Sequence, residues 1–451
     1  MELKNKRVLV VGLGKSGIAA AMFLRRQGAR VTVSDSRSAV ALAKEIPALL
    51  DAGVMVESGG HGLLTFRRQD LIVISPGVPL DTPEVKQVIG YGMPVIGELE
   101  LASRFLKGRI VAITGSNGKT TTTTLIGKIL KDAGLPAQVG GNIGTPVIDL
   151  VTESTDETIN VLEVSSFQLE TIEQFRPWIA LVLNITPDHL DRHGSFENYA
   201  AMKTRITERQ ESDDFLVLNA EDKSTQMVAA KTKAQIFWFS PRRPIKQGAF
   251  VHGESIVFIP KEGAKAEPIM PVAEITLRGA HNVENVLAAV CAARLAGVPA
   301  ETIRASIASF KAVEHRLEFV RTVQGVEYFN DSKATNVDAA MKAVDAFPSG
   351  IHLILGGKDK DSDYTLLSPL LRERVKAVYT IGSAAEKIER ELKGVVKMVG
   401  AGTIDVAVRE ASKSAVPGDV VLLAPACSSF DQFENYEHRG RTFRQIVNEL
   451  S

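Results

Sequence analysis

Short β-branched runs alternate with amphipathic stretches of helical period almost from end to end of this chain, the pattern of α/β layers built on largely parallel sheets. Three blocks separate along it, which implies three α/β domains. Residues 1–97 carry strands predicted at Arg7 to Val11, Arg30 to Ser34 and Leu71 to Ser75. Residues 98–311 open with the apolar run Ile110 to Ile113 and continue through Asn160 to Val164, Ile179 to Ile185 and Phe215 to Asn219. Helices over Asn282 to Ala296 and around Glu301 to Phe310 close that block. Residues 312–451, with the boundary near Ala312, carry strands at Val326 to Phe329, Ile351 to Leu355, Ala377 to Ile381 and Val420 to Leu423, and end in a helix after Arg441. The more polar stretch Pro241 to Pro271, with scattered Lys, Gly and Pro, predicts a hairpin-rich surface excursion.

A length of 451 residues exceeds what one hydrophobic core serves, in keeping with several domains. Basic and acidic residues number 53 each, so no broad positive field awaits nucleic acid or an anionic membrane, and charged ligands are expected at local sites. No apolar run approaches bilayer-spanning length. Lys4, Lys6 and Arg7 lead into a run broken at Gly12, Gly14 and Gly17, which reads as a first strand and not as a signal peptide. Cys291 and Cys427 are the only cysteines, which excludes a disulfide framework and fits a reducing compartment. The expectation is a cytoplasmic protein, and a monomer, since nothing calls for an oligomer.

The candidate chemistry centres on Thr114-Gly115-Ser116-Asn117-Gly118-Lys119-Thr120, between an apolar run and a helical stretch. Glycines let backbone N–H groups crowd round phosphate oxygens, the helix start presents its positive end, Lys119 adds a point charge, and Thr120 offers a hydroxyl to Mg²⁺. Strict phosphate-loop spacing wants glycine where Ile113 stands, so the loop alone fits either a nucleotide site or an ordinary strand-to-helix turn. Val8 to Gly17 runs from a strand into GxGxxG, and Asp35 follows at the spacing of a ribose-binding acid. That is a diphosphate site of unspecified kind, and it leaves an NAD-dependent dehydrogenase open. Ser75-Pro76-Gly77-Val78-Pro79 is a second anion-friendly turn or simply a tight one.

Glu163 stands in a buried-looking strand and needs a partner, either a metal ion or a structural hydrogen bond. Asn184 to His193 is a polar cluster just past a strand, where parallel sheets bind ligands; His189 is its candidate contact and His193 is read as surface. In the helix opening at Ser195, the residues Phe196, Tyr199, Lys203 and Ile206 share one stripe, so Lys203 faces inward. It is either a snorkelling lysine or a desolvated amine that takes up CO₂ as a carbamate. Asn330 to Asn336, Gly356 to Lys360 and Ala424 to Tyr436 each follow a strand. Three polar loops at strand ends together suggest one small charged ligand.

Taken in order, GxGxxG, SPGVP, TGSNGKTTT, GNIG at Gly141 to Gly144, LEVSSFQLE, NITPDHLDRH, GAHNVEN, EHRLE, NDSKATN and PACSSFDQFENYEHRG closely resemble the Mur ligases of bacterial cell-wall synthesis, over essentially the whole chain. The resemblance implies a Rossmann-like N-terminal domain, a central P-loop-type ATPase domain with a mainly parallel sheet, and a Rossmann-like C-terminal domain. It implies an ATP-dependent ligase that adds D-glutamate to UDP-N-acetylmuramoyl-L-alanine through an acyl phosphate. NDSKATN and PACSSFDQF point to D-glutamate over other members of the family and over folylpolyglutamate synthase.

By the same resemblance the UDP end lies on Gly14, Lys15, Ser16, Asp35, Ser36, Arg37 and Gly77, without NAD, and Asn142 and His189 face the muramoyl-alanine end. ATP lies on Gly115, Ser116, Asn117, Gly118, Lys119, Thr120 and Thr121, with Asn285 and Arg316 beside it and Asp331 near the ribose or the domain junction. Thr120, Glu163, His189 and Lys203 match the surroundings of two magnesium ions, Lys203 as the carbamate. Lys333, Thr335, Lys360, Ser429 and Tyr436 match positions that recognise D-glutamate, where phenylalanine is familiar in place of Tyr436. The implied catalytic set is Lys119, Glu163, His189 and Lys203, with His189 the candidate base for the incoming amine. ATP and glutamate on different domains predict closure of the last domain around its ligands.

Overall fold

The computed structural model describes residues 1–311 and 313–450, so the boundary expected near Ala312 falls on a residue outside those described, as does Ser451. Among the described residues the strands form three sheets, each in an α/β domain. In the first domain, β1 (Arg7–Val11), β2 (Arg30–Asp35), β3 (Met55–Ser58), β4 (Leu71–Ile74) and β5 (Val95–Gly97) pair in parallel in the order β3-β2-β1-β4-β5. The order reverses between β1 and β4, and both strands run into the predicted glycine turns, at the switch point where open sheets take ligands.

The central sheet contains β6 (Arg109–Thr114), β7 (Ala137–Gly141), β8 (Ile159–Glu163), β9 (Ile179–Val182), β10 (Phe215–Asn219), β11 (Gln235–Ser240), β12 (Gly248–His252), β13 (Ser255–Ile259) and β14 (Glu267–Pro271). Their order is β14-β13-β12-β11-β10-β9-β6-β8-β7, parallel except at β13, which runs against both neighbours. The stretch expected as a surface excursion is therefore the far edge of this sheet. β9 stops short of the expected Ile185 because the chain turns its hydrogen bonds to the phosphate loop: Leu183 N donates to Thr114 O at 3.0 Å and Ser116 N to Asn184 O at 2.9 Å.

The third domain contains β15 (Glu318–Val323), β16 (Val326–Asn330), β17 (Ile351–Gly356), β18 (Val375–Ile381), β19 (Lys397–Gly402) and β20 (Val420–Leu423), in the order β15-β16-β20-β17-β18-β19. Only β15 is antiparallel to its neighbour. The strands β16, β20 and β17, which carry the three polar loops, are adjacent in space although far apart in sequence. The last helix, Tyr436–Asn448, starts earlier than expected because Asn435 caps it, its side chain accepting from His438 N at 2.7 Å.

The two junctions differ in kind. One apolar core continues from the first sheet into the central domain through Leu99, Leu101, Ala102, Val147 and Ile148. The linker helix Glu98–Ser103 adds two buried carboxylates to this junction. Glu100 accepts from Glu173 N at 2.8 Å, Gln174 N at 3.0 Å and Phe175 N at 3.1 Å, and pairs with Arg104 at 2.8 Å. Glu98 accepts from Ile148 N at 2.7 Å, while its other oxygen is buried without a partner. The buried apolar groups of the third domain, by contrast, include no residue of the other two.

Burial pushes Glu98 up from 4.5 to about 7, against the pull of the Ile148 N–H. A carboxyl raised on folding binds its proton more tightly in the native state, so its contribution is fully present below 4.5 and fades as the pH rises through about 7. The expected loss is on the order of 3 kcal/mol. Glu98→Gln should remove that slope from urea midpoints measured across this window, and an unchanged slope would refute the reading.

Candidate active site

β6 lies between β8 and β9 and delivers the phosphate loop to their carboxyl edge. Gly118 sits at φ 85 before the helix Lys119–Asp132, and a Cβ there would lie 2.2 Å from Asn285 Oδ1, so both conformation and space require glycine. Ser116 Oγ donates to Thr186 O at 2.8 Å, accepts from Thr186 N at 2.9 Å and lies 3.0 Å from the Tyr199 hydroxyl. Asn117 N donates to Asn184 Oδ1 at 2.8 Å. Lys119 folds back over the loop, its Nζ donating to Gly115 O at 2.7 Å and Ser116 O at 2.8 Å.

Glu163, at the end of β8, has both oxygens engaged: Thr120 Oγ1 donates at 2.7 Å and Asn142 Nδ2 at 3.0 Å. Burial works to raise this carboxyl, but Lys333 and Lys119, with those two hydrogen bonds, hold it below its ordinary value. The third domain reaches the same point. Lys333 Nζ donates to Thr120 Oγ1 at 2.6 Å, and Arg316 Nη2 to the same oxygen at 3.3 Å. Asn117 Nδ2 donates to Asp338 Oδ2 at 2.5 Å, Asn336 Nδ2 to Asp188 Oδ2 at 2.8 Å, and Lys360 Nζ to Asp188 Oδ1 at 3.2 Å. Burial lowers Lys333 to about 8 against the attraction of Glu163. Burial opposes the charge of Asp188, yet Lys360 and His189 keep it at about 2.

His189 adopts a left-handed φ of 54 ahead of the short helix Leu190–His193. Burial pulls its imidazole down to about 3, with Asp188 opposing. His193, expected at the surface, is buried: it stacks on Phe167 at 5.5 Å and lies 3.0 Å from Ser166 Oγ, which supplies the polar partner that lets it go inside. Lys203 is 1% exposed; its Nζ donates to Gly115 O at 2.9 Å and sits 4.6 Å over the Tyr199 ring. Burial, with Lys119 adding to it, holds this amine well below its ordinary value.

The three loops of the last domain meet around Arg439, a fully buried guanidinium that burial lowers to about 10. It donates to Ser332 Oγ at 3.0 Å, Ser332 O at 2.8 Å, Cys427 O at 3.1 Å and Ser428 O at 3.3 Å. Lys358 N donates to Ser428 O at 2.9 Å and brings in the glycine-rich loop. Thr335 is half-buried on the first of these loops and Ser429 is buried on the last. Tyr436 lies under Lys333, its ring centroid 4.8 Å from Nζ.

Beside the phosphate loop, a cavity of about 200 Å³ opens between the central and third domains, lined by Thr121, Asn285, Arg316, Phe329 and Asp331 among others. Burial pushes Asp331 up to about 7 against the attraction of Arg316. The residues expected at the UDP end lie apart from this seam. Gly14, Lys15, Ser36, Arg37 and Gly77 are exposed, Ser16 half-exposed, and all stand around the β1/β4 switch point. Asp35 is buried among them, accepting from Leu13 N at 2.7 Å and pairing with Arg37 at 2.9 Å. Lys15 Nζ, donating to Gly144 O at 3.1 Å, links this edge to the loop of Asn142.

Sequence reasoning placed Asp188 and Asn336 in candidate loops without naming them as contacts, and it missed Asp338 at the seam and Arg439 behind the three loops of the last domain. Arg439 shares its helix stripe with Phe443, Ile446 and Val447, all buried, so the argument made for Lys203 would have found it. Among the described residues no three His, Cys, Asp or Glu gather as a self-sufficient metal site. Thr120 Oγ1 and Glu163 Oε2 are adjacent hard oxygens, a pair that suits Mg²⁺ once phosphate oxygens complete the shell.

Comparison with known proteins agrees along the whole chain. Residues 6–97 match the Mur ligase MurD-like N-terminal domain, 113–293 the Mur ligase middle domain and 315–427 the Mur ligase glutamate ligase domain. A protein of Acidobacterium capsulatum named UDP-N-acetylmuramoylalanine--D-glutamate ligase is 68% identical, covering 99% of this chain and 97% of its own. One of the same name from Koribacter versatilis is 60% identical, covering 100% and 99%. The solved UDP-N-acetylmuramate-alanine ligase MurC of Thermotoga maritima shares the fold, with a TM-score of 0.62 at 18% identity over 98% of this chain and 99% of that one. The chain belongs to the Mur ligase family.

Proposed function

We propose that this chain joins D-glutamate to UDP-N-acetylmuramoyl-L-alanine at the expense of ATP, a step of peptidoglycan precursor synthesis that serves cell-wall growth and division. The names of relatives up to 68% identical over nearly the full length support the reading. The observation that carries it is the meeting of Lys333 and Lys360, from the candidate amino-acid domain, with Thr120 and Asp188 of the candidate ATP domain, at 2.6 and 3.2 Å. The working unit in this reading is a cytoplasmic monomer divided as 1–97, 98–311 and 312–451, and both cysteines are free, as a reducing compartment keeps them. No helix among the described residues is long and apolar enough to cross a membrane.

In the reaction a substrate carboxylate oxygen attacks the γ-phosphorus of ATP, the bond to the β–γ bridging oxygen breaks, and ADP leaves. The amine of D-glutamate then attacks the acyl-phosphate carbonyl, gives up a proton, and the tetrahedral intermediate expels phosphate. Two anions meet in the first step, so positioning and charge stabilisation dominate. Lys119 is placed to exchange its two loop carbonyls for phosphate oxygens. Arg316, Asn285 and Asp331 flank the nucleotide cavity. Lys333, Thr335, Lys360, Ser429 and Tyr436 surround D-glutamate, and the exposed set about Gly14 and Gly77 takes the UDP end.

Thr120 and Glu163 would hold Mg²⁺, which supplies charge neutralisation at the phosphates; His189 and a carbamylated Lys203 would hold a second ion. A neutral amine is the form that attacks CO₂, forming an N–C bond and releasing a proton, and burial, with Lys119 adding to it, shifts Lys203 towards that form. The same physics argues against His189 as the base for the incoming ammonium. An imidazole held near 3 is a weak proton acceptor but a ready neutral nitrogen ligand.

Phosphate release from ATP with UDP-N-acetylmuramoyl-L-alanine should depend on D-glutamate and stay at background with L-glutamate, L-lysine or diaminopimelate; turnover with another amino acid in its place would overturn the reading. Lys203→Ala should abolish release, with partial recovery on adding short carboxylic acids, whereas a fully active variant would sink the carbamate. Small-angle scattering should show compaction on adding nucleotide and UDP-substrate together. Unchanged dimensions would count against closure of the third domain.

A further inference from the structure

Arg192 lies outside every role assigned so far. It belongs to the helix Leu190–His193 of the central domain, three residues after His189, yet its guanidinium reaches the first domain. Nη2 donates to Val78 O at 3.2 Å and Nη1 to Pro76 O at 3.5 Å, both in the turn after β4. Nη2 also donates to Glu170 Oε2 at 2.8 Å, and the group lies 4.7 Å over the ring of Phe167. Phe167 in turn stands edge-on to His189, centroids 4.9 Å apart. The turn it holds is fastened to the GxGxxG turn, where Ser75 Oγ donates to Gly12 O at 2.8 Å and a Cβ on Gly12 would lie 2.7 Å from Val78. The side chain is 16% exposed, and the space enclosed beside it is about 10 Å³, at the limit of a single water molecule, so it is a fastening and not a ligand pocket.

We propose that Arg192 is a positioning residue for the UDP-linked substrate: it fixes the span between the turn that receives the UDP end and His189, which faces the acyl end. This rests on the function proposed above. A substrate held at both ends binds well and presents its carboxylate correctly only if that span is constant. A planar fork suits the task because its rigid donors address two carbonyls and a carboxylate at once, which a single ammonium does not. ATP on the phosphate loop and D-glutamate on the third domain do not rely on the turn after β4 that Arg192 holds.

The test is steady-state kinetics of Arg192→Ala and Arg192→Lys with each of the three substrates varied, alongside melting temperature and circular dichroism. In Arg192→Ala the KM for UDP-N-acetylmuramoyl-L-alanine should rise by tenfold or more and kcat should fall, while KM for ATP and for D-glutamate stay within twofold. Lysine should recover only a small part of the loss, and added guanidinium should restore part of the alanine variant's activity. Should the alanine variant not fold, Glu170→Gln, which frees the guanidinium from its carboxylate, should raise the same KM selectively but less. An unchanged KM for the UDP-substrate, or equal weakening towards all three substrates, overturns the inference while wild-type turnover still upholds the function. A wild type without D-glutamate-dependent phosphate release overturns both.

Discussion

Cations buried where three anionic reactants are to meet set the terms for the rest of this structure. Lys119, Lys333 and Lys360 converge on the phosphate loop and its neighbour Asp188, with Arg316 beside them and the Lys203 amine against the Gly115 carbonyl. Concentrated positive charge in a poorly hydrated site would repel itself, so the fold places Glu163 and Asp188 among the lysines, and both carboxylates stay ionised against burial. Each lysine is meanwhile satisfied by a carbonyl, a hydroxyl or one of these carboxylates, contacts that incoming phosphates and carboxylates can replace one for one. The site is thus balanced internally and becomes a receptor for anions only as those contacts are exchanged.

That balance is divided between domains whose junctions obey different physics. The first two share a continuous apolar core, reinforced by Glu98 and Glu100 on the linker helix, and separating them would expose core and strip two buried carboxylates of backbone donors. The third is held at the seam by hydrogen bonds and ion pairs that water can replace. Polar contacts of this kind contribute little net stability each. The third domain is therefore the one whose junction can rearrange without exposing an apolar core, whereas Arg192 crosses the junction whose core is continuous.

Much of this was legible in the sequence because it is local. Strand runs, glycine turns and the inward stripe of Lys203 follow from period and residue type. So does the grouping of three polar loops, although the sheet order that makes β16, β20 and β17 neighbours does not. What stayed hidden is non-local. Asp188 carries no role of its own within its polar cluster, and Asp338 none at all, until the third domain places Lys360 against one and the loop's Asn117 against the other. His193 read as surface because its partners, Ser166 and Phe167, come from another segment. The helix start at Tyr436 was missed for a local reason, since Asn435 is a favoured cap and should have been weighed above the charged run that follows.

The imperfect spacing of the phosphate loop has a structural answer. Ile113, standing where the strict pattern wants glycine, is not in the loop: it is buried in β6, paired with Glu163 on one side and Leu181 on the other. The strand runs on as far as Thr114, and only Gly115 to Gly118 make the turn. A shorter loop forms fewer bonds with itself and needs outside support. Asn184 supplies it, its carbonyl accepting from Ser116 N at 2.9 Å and its side chain from Asn117 N at 2.8 Å. Asn184 is available because β9 breaks its ladder after Val182. The spacing of the loop and the early end of β9 meet at Asn184, and two residues on Thr186 N donates to Ser116 Oγ at 2.9 Å, so the chain leaving β9 stays tied to the loop as it runs on to Asp188 and His189.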